Sequence, residues 1–166
     1  MDNAALQKLL DRQQIEDTIY KYASTIDLKD YAGLRTVFTD DVVAQYAGAP
    51  EIHGADKLVS WIAEMGTTMK FQHHLINVYE VELDGDEART YTYHTSNQID
   101  ASTPDKVYLI VGRYRDVLRR VGDKWLIADK RMEIGWMEQR EYSQAAAVAA
   151  EAEQNLGAQE RSGVES

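Results

Sequence analysis

The sequence predicts an α+β domain in which helices come first and long antiparallel strands follow. Three observations carry this. From Ile15 to Ile26 the apolar residues recur at steps of three and four, the period of an amphipathic helix. From Phe71 to Trp136 the chain is instead rich in β-branched and aromatic residues. Within that stretch Asp84-Gly85-Asp86 and Val121-Gly122-Asp123 are tight-turn signals that fold the strands into hairpins. Such an order packs the helices on one face of a strongly curved sheet.

Element by element, Leu6, Leu9, Leu10, Ile15, Ile19, Tyr22, Ala23 and Ile26 mark a first helix ending near Asp27 to Lys29. A short second helix is expected with Tyr31, Leu34, Val37 and Phe38 as its apolar side, followed by a strand over residues 42–46. Gly48 and Pro50 interrupt that strand, and His53 falls in a loop bounded by Pro and Gly. Gly54-Ala55-Asp56 opens a third helix with Leu58, Val59, Trp61, Ile62 and Met65 as its buried positions. Strands then run over 71–83, 89–99, 107–120 and 124–136, with Ser102-Thr103-Pro104-Asp105 as a break. One domain is predicted over residues 1–139. Residues 140–166, rich in Ala and Glu, form a helical or flexible tail with little large apolar surface to bury.

Composition narrows the function. With 166 residues the chain is long enough for a real core, and its net charge of −10 disfavours nucleic acid and anionic membrane surfaces as partners. The absence of cysteine excludes disulfides, thiolate catalysis and cysteine-ligated metals. Residues 1–14 are interspersed with charges, unlike a signal peptide, and no run of about 18 apolar residues could span a bilayer, so a cytoplasmic location is expected. No HExxH, Walker, GxGxxG or GxSxG pattern occurs, and neither a metal nor another cofactor is expected.

Some polar residues stand out. Asp27 lies at the margin of the apolar face of the first helix, where burial without a partner would cost several kcal/mol. His73 and His74 are neighbours on a strand and must point to opposite faces, so only one can look inward. Alternation leaves the choice open, because both faces continue into apolar residues. His94 shares a face with Thr92, Ser96 and Gln98, which is unusually polar for a core strand. Arg131 and Glu133 on the last strand would need partners if buried.

The order and spacing of YASTIDLKDYAGLR (22–35), VVAQY (42–46), QHHLIN (72–77), YHTSN (93–97) and KWLIADKRMEIGW (124–136) resemble the SnoaL-like branch of the nuclear-transport-factor-like superfamily, scytalone dehydratase in particular. The resemblance covers roughly residues 10–140. It implies a cone-shaped curved antiparallel sheet wrapped around three N-terminal helices, with an internal pocket. It also implies a catalytic His–Asp pair, Asp27 with His73, joined by Tyr46, Tyr22 and His94. Trp61, Met65, Phe71, Asn77 and Tyr114 are then expected to contact substrate. Two departures stand out: Ile26 occupies a position where scytalone dehydratase has tyrosine, and its pocket Ser and Asn fall near Gly112 and Tyr114.

The function so implied is a cofactor-free lyase of the dehydratase type acting on a small hydroxylated aromatic or polycyclic compound. A neutral imidazole held by a carboxylate would be the general base, and tyrosines would donate hydrogen bonds to the oxygen that gains charge. An isomerase or polyketide cyclase would use the same groups, and a non-catalytic binding or assembly subunit would use the pair structurally. The resemblance also implies a homo-oligomer, a dimer or trimer.

Overall fold

A computed structural model describes residues 3–141 of the chain. Helix α1 (Asn3–Asp27) buries Ile15, Ile19, Tyr22, Ala23 and Ile26, the predicted stripe, while Leu6, Leu9 and Leu10 at its start remain exposed. Helix α2 (Tyr31–Arg35) is capped by Asp30, whose carboxylate accepts from the Gly33 amide. Helix α3 (Ala55–Gly66) turns Leu58 and Ile62 inward.

Six strands follow or intervene: β1 (Phe38–Tyr46), β2 (Ile52–His53), β3 (Met69–Asp84), β4 (Glu87–Asp100), β5 (Lys106–Val121) and β6 (Lys124–Glu141). They form one curved, unclosed sheet in the order β2-β1-β6-β5-β4-β3. The β3–β4 and β5–β6 hairpins turn at Gly85 (φ +60°) and Gly122 (φ +64°), where a left-handed backbone favours glycine.

Four readings are corrected. Val37 and Phe38 do not extend the second helix: the Val37 carbonyl accepts from the Ile127 amide, and Phe38 opens β1 beside β6. That β1–β6 pair is parallel, although every other pair is antiparallel. His53 belongs to the short strand β2, opposite Val43. The last strand runs to Glu141, past its predicted end at Trp136; the predicted tail after Glu141 lies outside the described residues.

Between sheet and helices lies a core that includes Tyr22, Phe38, Leu58, Tyr114, Leu118, Trp125 and Ile127. The buried carboxylate of Asp11 ties α1 to the β5–β6 hairpin, accepting from Trp125 Nε1 at 3.2 Å and from Arg120 at 2.8 Å. No described helix is long and apolar enough to cross a membrane.

Candidate active site

The end of α1 is fastened to β3 by a cluster of polar contacts. Gln72 donates its side-chain amide to the Ile26 carbonyl at 2.5 Å, and Lys29 donates to the Met69 carbonyl at 2.7 Å. Between these, one oxygen of Asp27 accepts from the His74 backbone amide at 2.9 Å, and the other lies 2.5 Å from His74 Nδ1. These bonds set which face of β3 turns inward. Gln72 and His74 point to the helices, and their odd-numbered neighbours point away.

The expected pairing is therefore corrected: His74, not His73, meets Asp27. The His73 side chain is on the outer face beside the exposed ring of Phe71, with Asn77 on the same face. Neither Phe71 nor Asn77 lines the pocket, because strand parity turns both outward with His73.

The pocket is a cavity of about 300 Å³ between the sheet and the helices, at the lower end of the range for small-molecule sites. Its wall is mostly apolar, including Ile26, Trp61, Met65, Ile110, Met132 and Ile134. Met65 is more than half exposed. The polar groups in this wall are Tyr22, Tyr46, Gln72, His74, His94, Gln98 and Tyr114. Ile26, at the position of an expected family tyrosine, lines the pocket directly.

His74 is well shielded, with 7% of its side chain exposed, and Asp27 is four-fifths covered. A proton on Nδ1 directed at the carboxylate would leave Nε2 of a neutral ring with its lone pair, the arrangement of an oriented general base. The His94 ring stacks on His74 at 5.6 Å between centroids. Burial, with His74 and Lys130 nearby, pulls the His94 pKa down to about 4, so this ring is neutral near pH 7. Gly112 lies opposite His94 on β5: a Cβ there would stand 3.4 Å from His94 Nδ1 and 2.3 Å from the Glu133 carbonyl oxygen. The small residue is therefore required by the close approach of the β6 backbone, while the imidazole alone would tolerate a methyl group.

Across the pocket, the hydroxyls of Tyr22 and Tyr46 are 2.9 Å apart. Burial raises the pKa of both above that of a free phenol, so both remain protonated and able to donate. Trp61 lies 5.0 Å from the Tyr46 ring. The Tyr114 ring packs 4.9 Å from His94 and edge-on to Tyr22 at 5.9 Å.

Sequence reasoning missed the charges behind these rings. Lys130 Nζ lies 3.0 Å from Asp116 Oδ2, and both side chains are fully buried. The available signal was parity: Asp116 is in phase with Tyr114 and Leu118 on the inner face of β5. Arg131 and Glu133, which the sequence singled out, point outward and are paired, Arg131 with Asp129 and Glu51, and Glu133 with Arg113 and Arg115. Among the described residues no three His, Cys, Asp or Glu side chains gather as a metal site.

The SnoaL-like domain family matches the chain over residues 7–131. An uncharacterised protein of Mycobacterium tuberculosis is 25% identical over 124 residues, covering 74% of this chain and 84% of its own. The fold is similar to that of a scytalone dehydratase-like protein from Novosphingobium aromaticivorans, with a TM-score of 0.73, 17% identity and coverage of 79% and 88% of the two chains. It is also similar to LinA-type3, a hexachlorocyclohexane dehydrochlorinase from Novosphingobium barchaimii, with a TM-score of 0.75, 14% identity and coverage of 82% and 94%.

Proposed function

Because the chain belongs to the SnoaL-like domain family, we propose that its pocket is the active site of a cofactor-free lyase with His74 as general base. The observation that carries this is the Asp27–His74 pair, held by two hydrogen bonds at the edge of a largely apolar cavity. A neutral imidazole whose far nitrogen is fixed by a carboxylate is suited to taking a proton from carbon. Similar proteins named as dehydratase-like and dehydrochlorinase enzymes support an elimination.

The proposed substrate is a small hydroxylated aromatic or polycyclic compound with a carbonyl, an acidic C–H on the adjacent carbon and a hydroxyl on the carbon after that. His74 Nε2 removes that proton, and the electron pair moves toward the oxygen. Tyr46, backed by Tyr22, donates a hydrogen bond to the oxygen as charge develops. As that electron pair returns to form the new carbon–carbon double bond, the bond to the leaving hydroxyl breaks, the proton on His74 passes to it and water departs, restoring the neutral imidazole. Neutral His94 suits hydrogen bonding to the leaving oxygen rather than protonating it.

The test is turnover of a panel of hydroxylated aromatic and polycyclic ketones by wild type, His74→Ala and His73→Ala, followed by product mass. A positioned base contributes about 10²–10⁴-fold, so His74→Ala is expected to lose at least 10²-fold while His73→Ala keeps wild-type rates. Loss of the mass of water identifies elimination. Unchanged mass identifies isomerisation or cyclisation, and full activity in His74→Ala refutes the base assignment.

A further inference from the structure

The Lys130–Asp116 pair is costly and sits where it can act on the site. Lys130 and Asp116 face each other across β6 and β5, with no exposure of either side chain. Burial pushes each group toward its neutral form, and their mutual attraction opposes this. A buried ion pair rarely improves stability over a well-packed apolar pair of the same volume, so stability alone gives no reason for this one. A lysine could also extend its stem and release its ammonium to water, but this one does not.

Instead the ammonium rests on aromatic faces. Lys130 Nζ is 4.0 Å from the centroid of Tyr22 and 3.8 Å from that of Tyr114. Both rings line the pocket, and Lys130 itself does not. The charged and titratable groups facing Tyr22 are Tyr46 from β1, Tyr114 and Asp116 from β5, and Lys130 from β6. A cation over a phenol ring draws electron density from it and makes its hydroxyl a stronger hydrogen-bond donor, most effectively where water is excluded. The Tyr22 hydroxyl is in hydrogen-bond contact with that of Tyr46, so the polarisation has a route to the pocket.

We propose that the Lys130–Asp116 pair is a positioning element that polarises the Tyr22–Tyr46 hydroxyls, so that the pocket prefers ligands whose oxygen bears negative charge. This rests on the reading of those tyrosines as oxygen donors. It narrows the substrate class to enolisable carbonyl compounds and phenols, whose oxygen becomes anionic when the base acts. Asp116 holds the ammonium against the rings and favours its charged form against burial, while its carboxylate, which raises the pKa of both phenols, opposes the ammonium's pull.

The experiment uses 4-nitrophenol, whose ionised form absorbs in the visible, with the full-length protein. Its ionisation when bound is followed against pH in wild type, Tyr46→Phe and the double variant Lys130→Met/Asp116→Leu. The double variant removes both charges together and leaves no unpaired ion to unfold the sheet; circular dichroism and thermal melting verify that it is folded. Wild type is expected to bind the ionised phenol more tightly than the neutral one. The double variant is expected to lose about tenfold of that preference, a rise of about one unit in the bound phenol's midpoint. A folded double variant with the wild-type preference overturns the proposal, and so does a wild-type protein that binds both forms equally or neither. A preference lost in Tyr46→Phe but intact in the double variant rejects the pair's role and leaves the tyrosines as donors. The measurement requires no turnover, so the His74 base can fail independently of this result.

Discussion

Acidification should destabilise this protein through one ring, His94. The unfolded chain binds a proton on this histidine near pH 6.5, whereas the folded protein resists it until about pH 4. Burial is the leading cause, aided by His74 and Lys130. Between those values the unfolded state binds more protons, so stability attributable to His94 is intact above pH 6.5 and falls as pH drops toward 4. At about 1.4 kcal/mol per unit, the loss is about 2 kcal/mol at pH 5 and about 3 kcal/mol by pH 4. Urea unfolding of wild type and His94→Gln across pH 4–7.5 reads it, because ionisable groups remote from His94 titrate in both proteins and cancel in the difference. Wild type should lose about 2 kcal/mol relative to the variant between pH 7 and 5. Parallel pH profiles would show that His94 is not held neutral by its surroundings and would remove the reason for calling it a neutral hydrogen-bonding partner.

Two further predictions concern the same corner of the molecule. Asp27→Asn keeps an acceptor for the His74 amide but no longer fixes the imidazole as a base, so activity should fall about 10²–10⁴-fold with little change in melting temperature; unchanged kcat/KM in a steady-state assay would reject the orienting role. Gly112→Ala places a methyl group against the Glu133 carbonyl oxygen, which should cost about 1–3 kcal/mol in urea unfolding; a variant as stable as wild type would show that the β5–β6 pair, whose register shifts between Val111 and Gly112, yields freely.

The architecture was legible because it rests on periodicity. The stripe Ile15, Ile19, Tyr22, Ala23, Ile26 and the turns at Gly85 and Gly122 are local signals, and the structure uses them as read. The inward histidine was not legible, for a physical reason. The outer set on β3 includes Phe71, Leu75 and Tyr79, and the inner set includes Ile76 and Val78, so hydrophobic contrast does not distinguish the faces. What selects His74 is the contact of Gln72 and Asp27 with the end of α1, a tertiary fact spanning 46 and 47 residues of chain. Phe71 and Asn77 turn outward with His73 for the same cause. Lys130 was obscured by its charged neighbours: in Asp129-Lys130-Arg131 the middle residue turns inward while the outer two pair with each other. Phe38 reads as helical in sequence because an apolar residue four after Leu34 fits that period, whereas its pairing with Ile127 makes it a strand.

Neighbouring imidazoles on opposite faces leave β3 open to one particular error. Displacing this strand by a single position would bring His73 to the cavity and expel His74, and the apolar rings on its far side would enter without penalty from water. Oil-and-water sorting therefore offers no proofreading here. Fidelity falls to the hairpin turn at Gly85 and the few polar clasps at the tip of α1, and a lesion in these need not melt the protein to silence it: a well-folded molecule then presents the wrong imidazole, with no carboxylate behind it.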